Sequence, residues 1–212
     1  MSPKKWLILS VILNIVFCIV SIFFVIMFHD RITKKMTADK TVDIVMFGDS
    51  ITEGGDWASL FTDKKIYNSG TMGATTSRYV WTLKKDVLQH HPKICFILGG
   101  TNDIFQGIPA SRTLDNMNKI ISSLQANNII PVLQSVPYSA KIKEHNNLVD
   151  SINIKLKQLA GEKHMDYIDL NETLSENGFL KKEYTYDGIH FSENAYPVWA
   201  EKVKEVLSKH NL

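Results

Sequence analysis

The sequence predicts a three-layer α/β/α sandwich on a five-stranded parallel sheet, preceded by an N-terminal transmembrane helix. Three observations carry that expectation. Short apolar runs suited to buried strands recur at 42–47, 65–68, 93–98, 129–135 and 166–170. Stretches of helical periodicity separate them, and strands that alternate with helices form parallel sheets covered on both faces. Ahead of the first run stands a long apolar stretch of a different kind.

That stretch is Trp6 to Phe28, 23 residues without a formal charge. As a helix rising about 1.5 Å per residue it covers roughly 35 Å, enough for a hydrocarbon core of about 30 Å. A cleaved leader has a shorter apolar region, about 7–15 residues, and the small-residue site near Ala38 lies well past this one. Before Cys18, the Ile-Val-Phe lacks the small residues that lipoprotein processing needs. A buried core helix is rarely so uniformly apolar at this length. Residues 1–28 are therefore expected to be an uncleaved anchor, with 6–28 in the membrane. Lys4 and Lys5 precede it while Arg31, Lys34 and Lys35 follow, so the positive-inside rule is nearly balanced. The expected arrangement keeps the short amino terminus inside and the large domain outside, at the cell surface or in the periplasm. Residues 29–41 are polar and aperiodic and read as a tether, leaving 42–212 as one domain.

Within that domain the expected helices lie near 56–62, 77–90, 111–127, 145–162 and 192–209. Leu114, Met117, Ile120, Ile121 and Leu124 recur at helical spacing, as do Trp199, Val203, Val206 and Leu207. Ser192 offers a cap for the last helix, and Ser111-Arg-Thr-Leu-Asp offers similar chemistry for the third. Of 24 basic residues only Lys4 and Lys5 precede residue 29, leaving 22 against 22 acidic ones. A neutral domain has no electrostatic footprint for nucleic acid. Cys18 falls in the apolar stretch and Cys95 in a strand, so no internal disulfide is expected. Oligomeric state has no signature in the chain.

In parallel sheets of this kind, ligands bind outside the carboxyl ends of the strands. Unusual polar residues follow three of the expected strands and precede the last helix. They are Gly48-Asp49-Ser50, Asn68-Ser-Gly-Thr-Met-Gly73-Ala-Thr75-Thr76, Gly99-Gly-Thr-Asn102-Asp103 and Asp187-Gly-Ile-His190. Any one of them reads equally well as a turn, because glycine, aspartate and asparagine punctuate loops generally. Four at one sheet edge point to a site.

Together these blocks resemble the SGNH (GDSL-type) esterase and acylhydrolase family, over residues 42 to 209. "FGDSIT" matches the nucleophile block, "NSGTMGATT" the glycine block, "GGTND" the Gly-x-Asn-Asp block and "DGIH" the Asp-x-x-His block, in the family's order. The glycine block departs at Ala74, where the family often has aspartate. The resemblance implies a flavodoxin-like sandwich and a serine esterase that needs no cofactor and no metal. It implies Ser50 as nucleophile with His190 and Asp187. It also implies an oxyanion hole from the Ser50 and Gly73 backbone N–H groups and the Asn102 side-chain amide.

The chemistry is coherent without the family. A serine hydroxyl is a poor nucleophile until a base takes its proton, and a histidine fixed by a carboxylate does this near neutral pH. Asp187 and His190, three apart across a glycine-containing turn, can meet locally. An attacked ester becomes an oxyanion that needs donors already in place. Asp49 and Asp103 read as loop-shaping carboxylates, and His90-His91 before Pro92 as a helix end. No Walker loop, dinucleotide fingerprint or zinc spacing is present, and Thr52 stands where a Gly-x-Ser-x-Gly elbow needs glycine.

The expected function is removal of a short acyl group, acetyl above all, from a carbohydrate or similar small ester. A thioesterase or lysophospholipase on the same scaffold is the first alternative, and a catalytically silent sugar-binding protein the second. Acyl transfer to a sugar instead of water stays open.

Overall fold

A computed structural model describes residues 3–38 and 41–212 of the chain. The chain divides into two compact units, Met1–Thr41 and Val42–Leu212. Among its described residues the first contains one helix, α1 (Pro3–Ala38).

Here the expectation of a membrane span is corrected. Among the described residues no helix is long and apolar enough to cross a membrane. α1 does not stop where the apolar run stops at Phe28. It continues through Asp30, Arg31, Lys34 and Lys35 to Ala38, so the run is part of a longer helix with charged turns and not a bounded span. The transmembrane element of the expected fold therefore does not stand, and nothing among the described residues shows the membrane as a partner through 6–28. Most of the segment expected as a tether is helical for the same reason. Asp39 and Lys40 of that segment, and the side chains of Leu7, Ile8, Leu9, Ile12 and residues 26–38, lie outside the described residues.

The second unit is the α/β/α sandwich. Its strands are β1 (Ile44–Gly48), β2 (Ile66–Gly70), β3 (Ile94–Ile97), β4 (Ile130–Gln134) and β5 (Asp166–Ile168). They form a five-stranded sheet in the order β2-β1-β3-β4-β5, all neighbours parallel. The inner strands β1 and β3 carry no polar side chain and are buried at every residue because both faces are covered, whereas the edge strands β2 and β5 carry Asn68, Ser69 and Asp166. Ile44, Met46, Ile94, Phe96, Val132 and Ile168 point to one face. There they meet α2 (Ser50–Glu53), α3 (Trp57–Leu60) and α9 (Ala195–Lys209). Val45, Phe47, Cys95, Ile97 and Leu133 point to the other. There they meet α4 (Thr76–Asp86), α6 (Ala110–Ala126) and α7 (Lys143–Glu162). Period-2 alternation thus feeds two apolar layers.

The remaining elements are α5 (Thr101–Phe105), α8 (Asn171–Leu174), a hairpin of β6 (Ser175–Glu176) and β7 (Phe179–Leu180), and two 3-10 turns, Leu88–His90 and Lys182–Tyr184. Two expected caps are not used. α9 starts at Ala195, and the Ser192 hydroxyl donates instead to the Glu183 carbonyl at 2.7 Å. α6 starts at Ala110 after Pro109 without a side-chain cap.

The strand order sets the site. From β1 the chain crosses to β2 on one side, then returns to β3 on the other. In sheets of this kind ligands bind outside the carboxyl ends of the strands, where that direction reverses. Ser50 follows β1, Gly73 follows β2 and Asn102 follows β3.

Candidate active site

β1 ends at Gly48, and Asp49 caps the four-residue helix α2 by accepting from the Ile51 N–H at 3.0 Å. Ser50 is therefore the first residue of a helix. Gly48 is required for space: a Cβ there would lie 2.0 Å from Thr52 Oγ1. α2 is held from three sides. The Tyr196 hydroxyl donates to the Ile51 carbonyl at 2.9 Å, and Trp57 Nε1 donates to the Thr52 carbonyl at 2.9 Å. Asn68 Nδ2 reaches the carbonyls of Glu53 at 3.0 Å and Gly55 at 3.1 Å.

Ser50 Oγ lies 3.0 Å from His190 Nε2, and His190 Nδ1 lies 2.7 Å from Asp187 Oδ2. With the ring proton on Nδ1, shared with Asp187, Nε2 accepts from the serine hydroxyl. Asp187 Oδ1 also accepts from the N–H groups of Ile189 and His190, each at 2.8 Å. Partial burial opposes ionisation of Asp187, but the His190 ring and these two N–H groups outweigh it and lower its pKa to about 2. The carboxylate stays ionised and fixes the imidazole. Thr185 closes the turn, donating to the His190 carbonyl at 2.6 Å and accepting from the Gly188 N–H at 2.9 Å.

Gly73 has φ +68, and a Cβ there would meet nothing within 4 Å, so glycine is favoured by backbone conformation and not by crowding. Among the described residues, neither the Ser50 nor the Gly73 backbone N–H has an acceptor in the protein. Asn102 Nδ2 donates to the Ala74 carbonyl at 3.1 Å. An amide nitrogen carries two protons, so one remains for a ligand. These three groups follow β1, β2 and β3 in turn, at the carboxyl edge of the sheet.

Behind them lies a buried polar hub that sequence reasoning missed in its detail. Asp103 accepts from the Thr76 N–H at 2.9 Å, the Thr76 hydroxyl at 2.5 Å and the Thr113 hydroxyl at 3.1 Å. Asn116 Nδ2 then donates to Thr76 Oγ1 at 3.0 Å. This hub ties the glycine loop to α5 and α6. The threonine pair of the glycine block was the available signal; Thr113 and Asn116 carried none. Asp49 is fully buried, and burial raises its pKa to about 7 against the hydrogen bond from Ile51.

His90 and His91 end a 3-10 turn, as expected, with His91 left-handed at φ 45. Cys95 is buried and unpaired by any disulfide.

A hydroxyl poised on an imidazole–carboxylate pair, at the switch point of this fold, defines a serine hydrolase. The chain belongs to the GDSL-like lipase/acylhydrolase family, whose pattern matches residues 46–198. An N-acylneuraminate cytidylyltransferase of Escherichia coli O18:K1:H7 is 27% identical over 186 residues, covering 84% of this chain and 44% of that protein. This chain thus spans less than half the length of the cytidylyltransferases it matches. The thioesterase 1/protease 1/lysophospholipase L1 of Escherichia coli K12 is 25% identical over 184 residues, covering 79% of this chain and 86% of that protein. The crystal structure of a GDSL-like lipase from Bacteroides thetaiotaomicron superposes with a TM-score of 0.74 at 23% identity, covering 84% of this chain and 90% of that one. At that identity the likeness concerns the fold.

Proposed function

We propose that the protein removes a short acyl group, acetyl above all, from a carbohydrate or similar small ester. Ser50 Oγ attacks the acyl carbonyl while its proton passes to His190 Nε2, and Asp187 stabilises the imidazolium that forms. The negative charge on the carbonyl oxygen is met by the Ser50 and Gly73 N–H groups and the free Asn102 amide proton. Collapse expels the alcohol, which takes the proton from His190. A water molecule, activated in turn by His190, then releases the acid and restores Ser50.

One observation supports the short acyl group. A long chain needs an apolar groove, and in the polar loops 137–147 and 175–186 the aromatic residues available to line one are Tyr138, Phe179 and Tyr184, with Tyr186 exposed at the end of the second loop. Tyr138 and Tyr184 pack against the core, and Phe179 is half-buried beneath the Lys143 ammonium at 5.5 Å from its ring centre. The loops themselves close on the His190 turn, with the Ala140 N–H donating to the Gly188 carbonyl at 2.8 Å. A polar rim suits a hydroxylated leaving group. The name of the Escherichia coli O18:K1:H7 relative states N-acylneuraminate, a sugar acid, as what it acts on, which supports the carbohydrate part of the reading and not the ester part.

A second reading, thioesterase or lysophospholipase, draws on Met72 at 77% exposure and Phe105 at 49%. Met72 precedes Gly73 in the glycine block and Phe105 ends α5, the helix that carries Asn102, and the Escherichia coli K12 relative bears those activities in its name.

The deciding measurement is kcat/KM across acetate, butyrate, octanoate and palmitate esters of one alcohol, below micelle formation. Each buried methylene is worth only about 0.8 kcal/mol, and methylenes left in water gain none of it. The short-acyl reading expects efficiency to fall beyond about four carbons, where that burial term stops. A rise toward octanoate would select the second reading.

A further inference from the structure

We propose that Lys141 and Tyr186 form the subsite for the departing alcohol, and that this subsite selects sugars carrying an anionic group. The proposal rests on the sugar-ester reading above and deepens it.

The departing alcohol must end beside His190, because it takes its proton from Nε2 as it leaves. Its body therefore lies along the turn from Thr185 to His190, and two side chains border that turn. Tyr186 is 72% exposed, and its ring runs parallel to the His190 imidazole at 12°, with centres 5.8 Å apart. It offers a flat apolar face in water, the kind of surface on which the C–H face of a pyranose packs.

Lys141 comes from the loop after β4. Its Nζ donates to the Asp187 carbonyl at 3.3 Å, and its Cδ and Cε lie 3.3 Å from where a Cβ of Gly188 would stand. The backbone beneath it is fixed. Ser139 Oγ accepts from the N–H groups of Lys141 at 3.1 Å and Ile142 at 3.0 Å, and the Ala140–Gly188 bond joins the two loops. An ammonium has three donors, and a long bond to one carbonyl occupies one. No carboxylate lies within ion-pair distance of Lys141 among the described residues. Its contact is the main-chain oxygen of Asp187, while the Asp187 carboxylate is taken by His190. The cation beside the triad therefore keeps its charge for a ligand. Because the domain is neutral beyond residue 28, with 22 basic and 22 acidic residues, this selectivity is local and not a long-range field.

Carboxylate and phosphate share the chemistry that a lysine recognises, and the test separates them. The full chain is assayed for kcat/KM on the mono-acetates of methyl glucoside (neutral), methyl glucuronide (carboxylate) and glucose 6-phosphate (phosphate). The parent should prefer at least one anionic ester by about fivefold, the scale of an exposed ion pair. That ratio should fall to one in Lys141→Met, drop below one in Lys141→Glu and survive in Lys141→Arg, and added salt should erode it. Tyr186→Ala should raise KM on all three sugars, with Tyr186→Phe near the parent. Circular dichroism and thermal melting check that each variant folds. Equal efficiency on all three esters in the parent would overturn the proposal. So would a Lys141→Met variant that slows all three alike with the ratio intact, since that is the mark of a loop staple. Hydrolysis of p-nitrophenyl acetate but of no sugar ester would overturn the carbohydrate reading, and this subsite with it.

Discussion

The Asn102 side-chain amide donates to the Ala74 carbonyl at 3.1 Å, one residue beyond Gly73. The same group that offers a proton to the oxyanion also holds the loop that offers another. Removing Asn102 thus loses one donor and loosens the next. Loss of a single such donor lowers turnover by roughly 10²–10³. Asn102→Ala should meet or exceed the upper end of that range in kcat, with KM little changed. A fall of only a few-fold would make Asn102 a loop residue with no part in stabilising the transition state.

The Asp103 hub yields a stability prediction. Asp103→Ala leaves the Thr76 N–H and the Thr76 and Thr113 hydroxyls without their acceptor in a buried site. Each unsatisfied buried group costs about 1–3 kcal/mol, so the loss should reach about 3 kcal/mol or more. Urea unfolding of the two proteins measures it. A loss under about 1 kcal/mol would mean that the hub relaxes freely and does not anchor the glycine loop.

Much of this was legible in the chain, for physical reasons that particular residues illustrate. A strand buried on both faces must be apolar without interruption, so Ile44 to Phe47 and Ile94 to Leu98 announce themselves. A catalytic turn needs residues that a core strand rejects, so Gly48-Asp49-Ser50 and Asp187-Gly-Ile-His190 stand out against it. Helices of four or five residues, such as Ser50–Glu53 and Thr101–Phe105, complete too few turns to show a period. Capping is decided by competition that the sequence does not display. Ser192 finds the Glu183 carbonyl instead, and Thr113 turns its hydroxyl to Asp103. The meeting of Lys141 with Asp187 joins residues 46 apart and depends on how two loops fold together. At the amino terminus the apolar run was plain, but the helix extending through Asp30 to Lys35 was not, because those residues show no apolar periodicity.

Burial of Asp49 makes a prediction about pH. Its folded pKa is raised to about 7 from an ordinary 3.8. The folded state therefore binds its proton more tightly than the unfolded chain does. The stability this contributes is full below about pH 4 and is lost as pH rises through about 7. Asp187, whose folded pKa is lowered to about 2, works in the opposite sense and only at acid pH. Burial lowers the pKa of His145 from 6.5, and its contribution is common to the parent and an Asp49 variant and cancels in their difference. Asp49→Asn keeps the acceptor for Ile51 and removes the titration. The parent should lose stability relative to Asp49→Asn between about pH 5 and 8, by an amount on the order of a few kcal/mol. Parallel melting curves for the two proteins from pH 5 to 8 would show that Asp49 does not titrate there.

The central claim is that Ser50 is the nucleophile, and covalent trapping tests it most directly. A fluorophosphonate reacts with an activated serine hydroxyl and leaves a stable adduct that peptide mapping can locate. The account predicts a single adduct on Ser50 in the parent and none in Ser50→Ala. It also predicts that Ser50→Ala remains folded and loses several orders of magnitude in ester hydrolysis, since triad members act as a unit. An adduct on any other serine, or undiminished hydrolysis by folded Ser50→Ala, would contradict it.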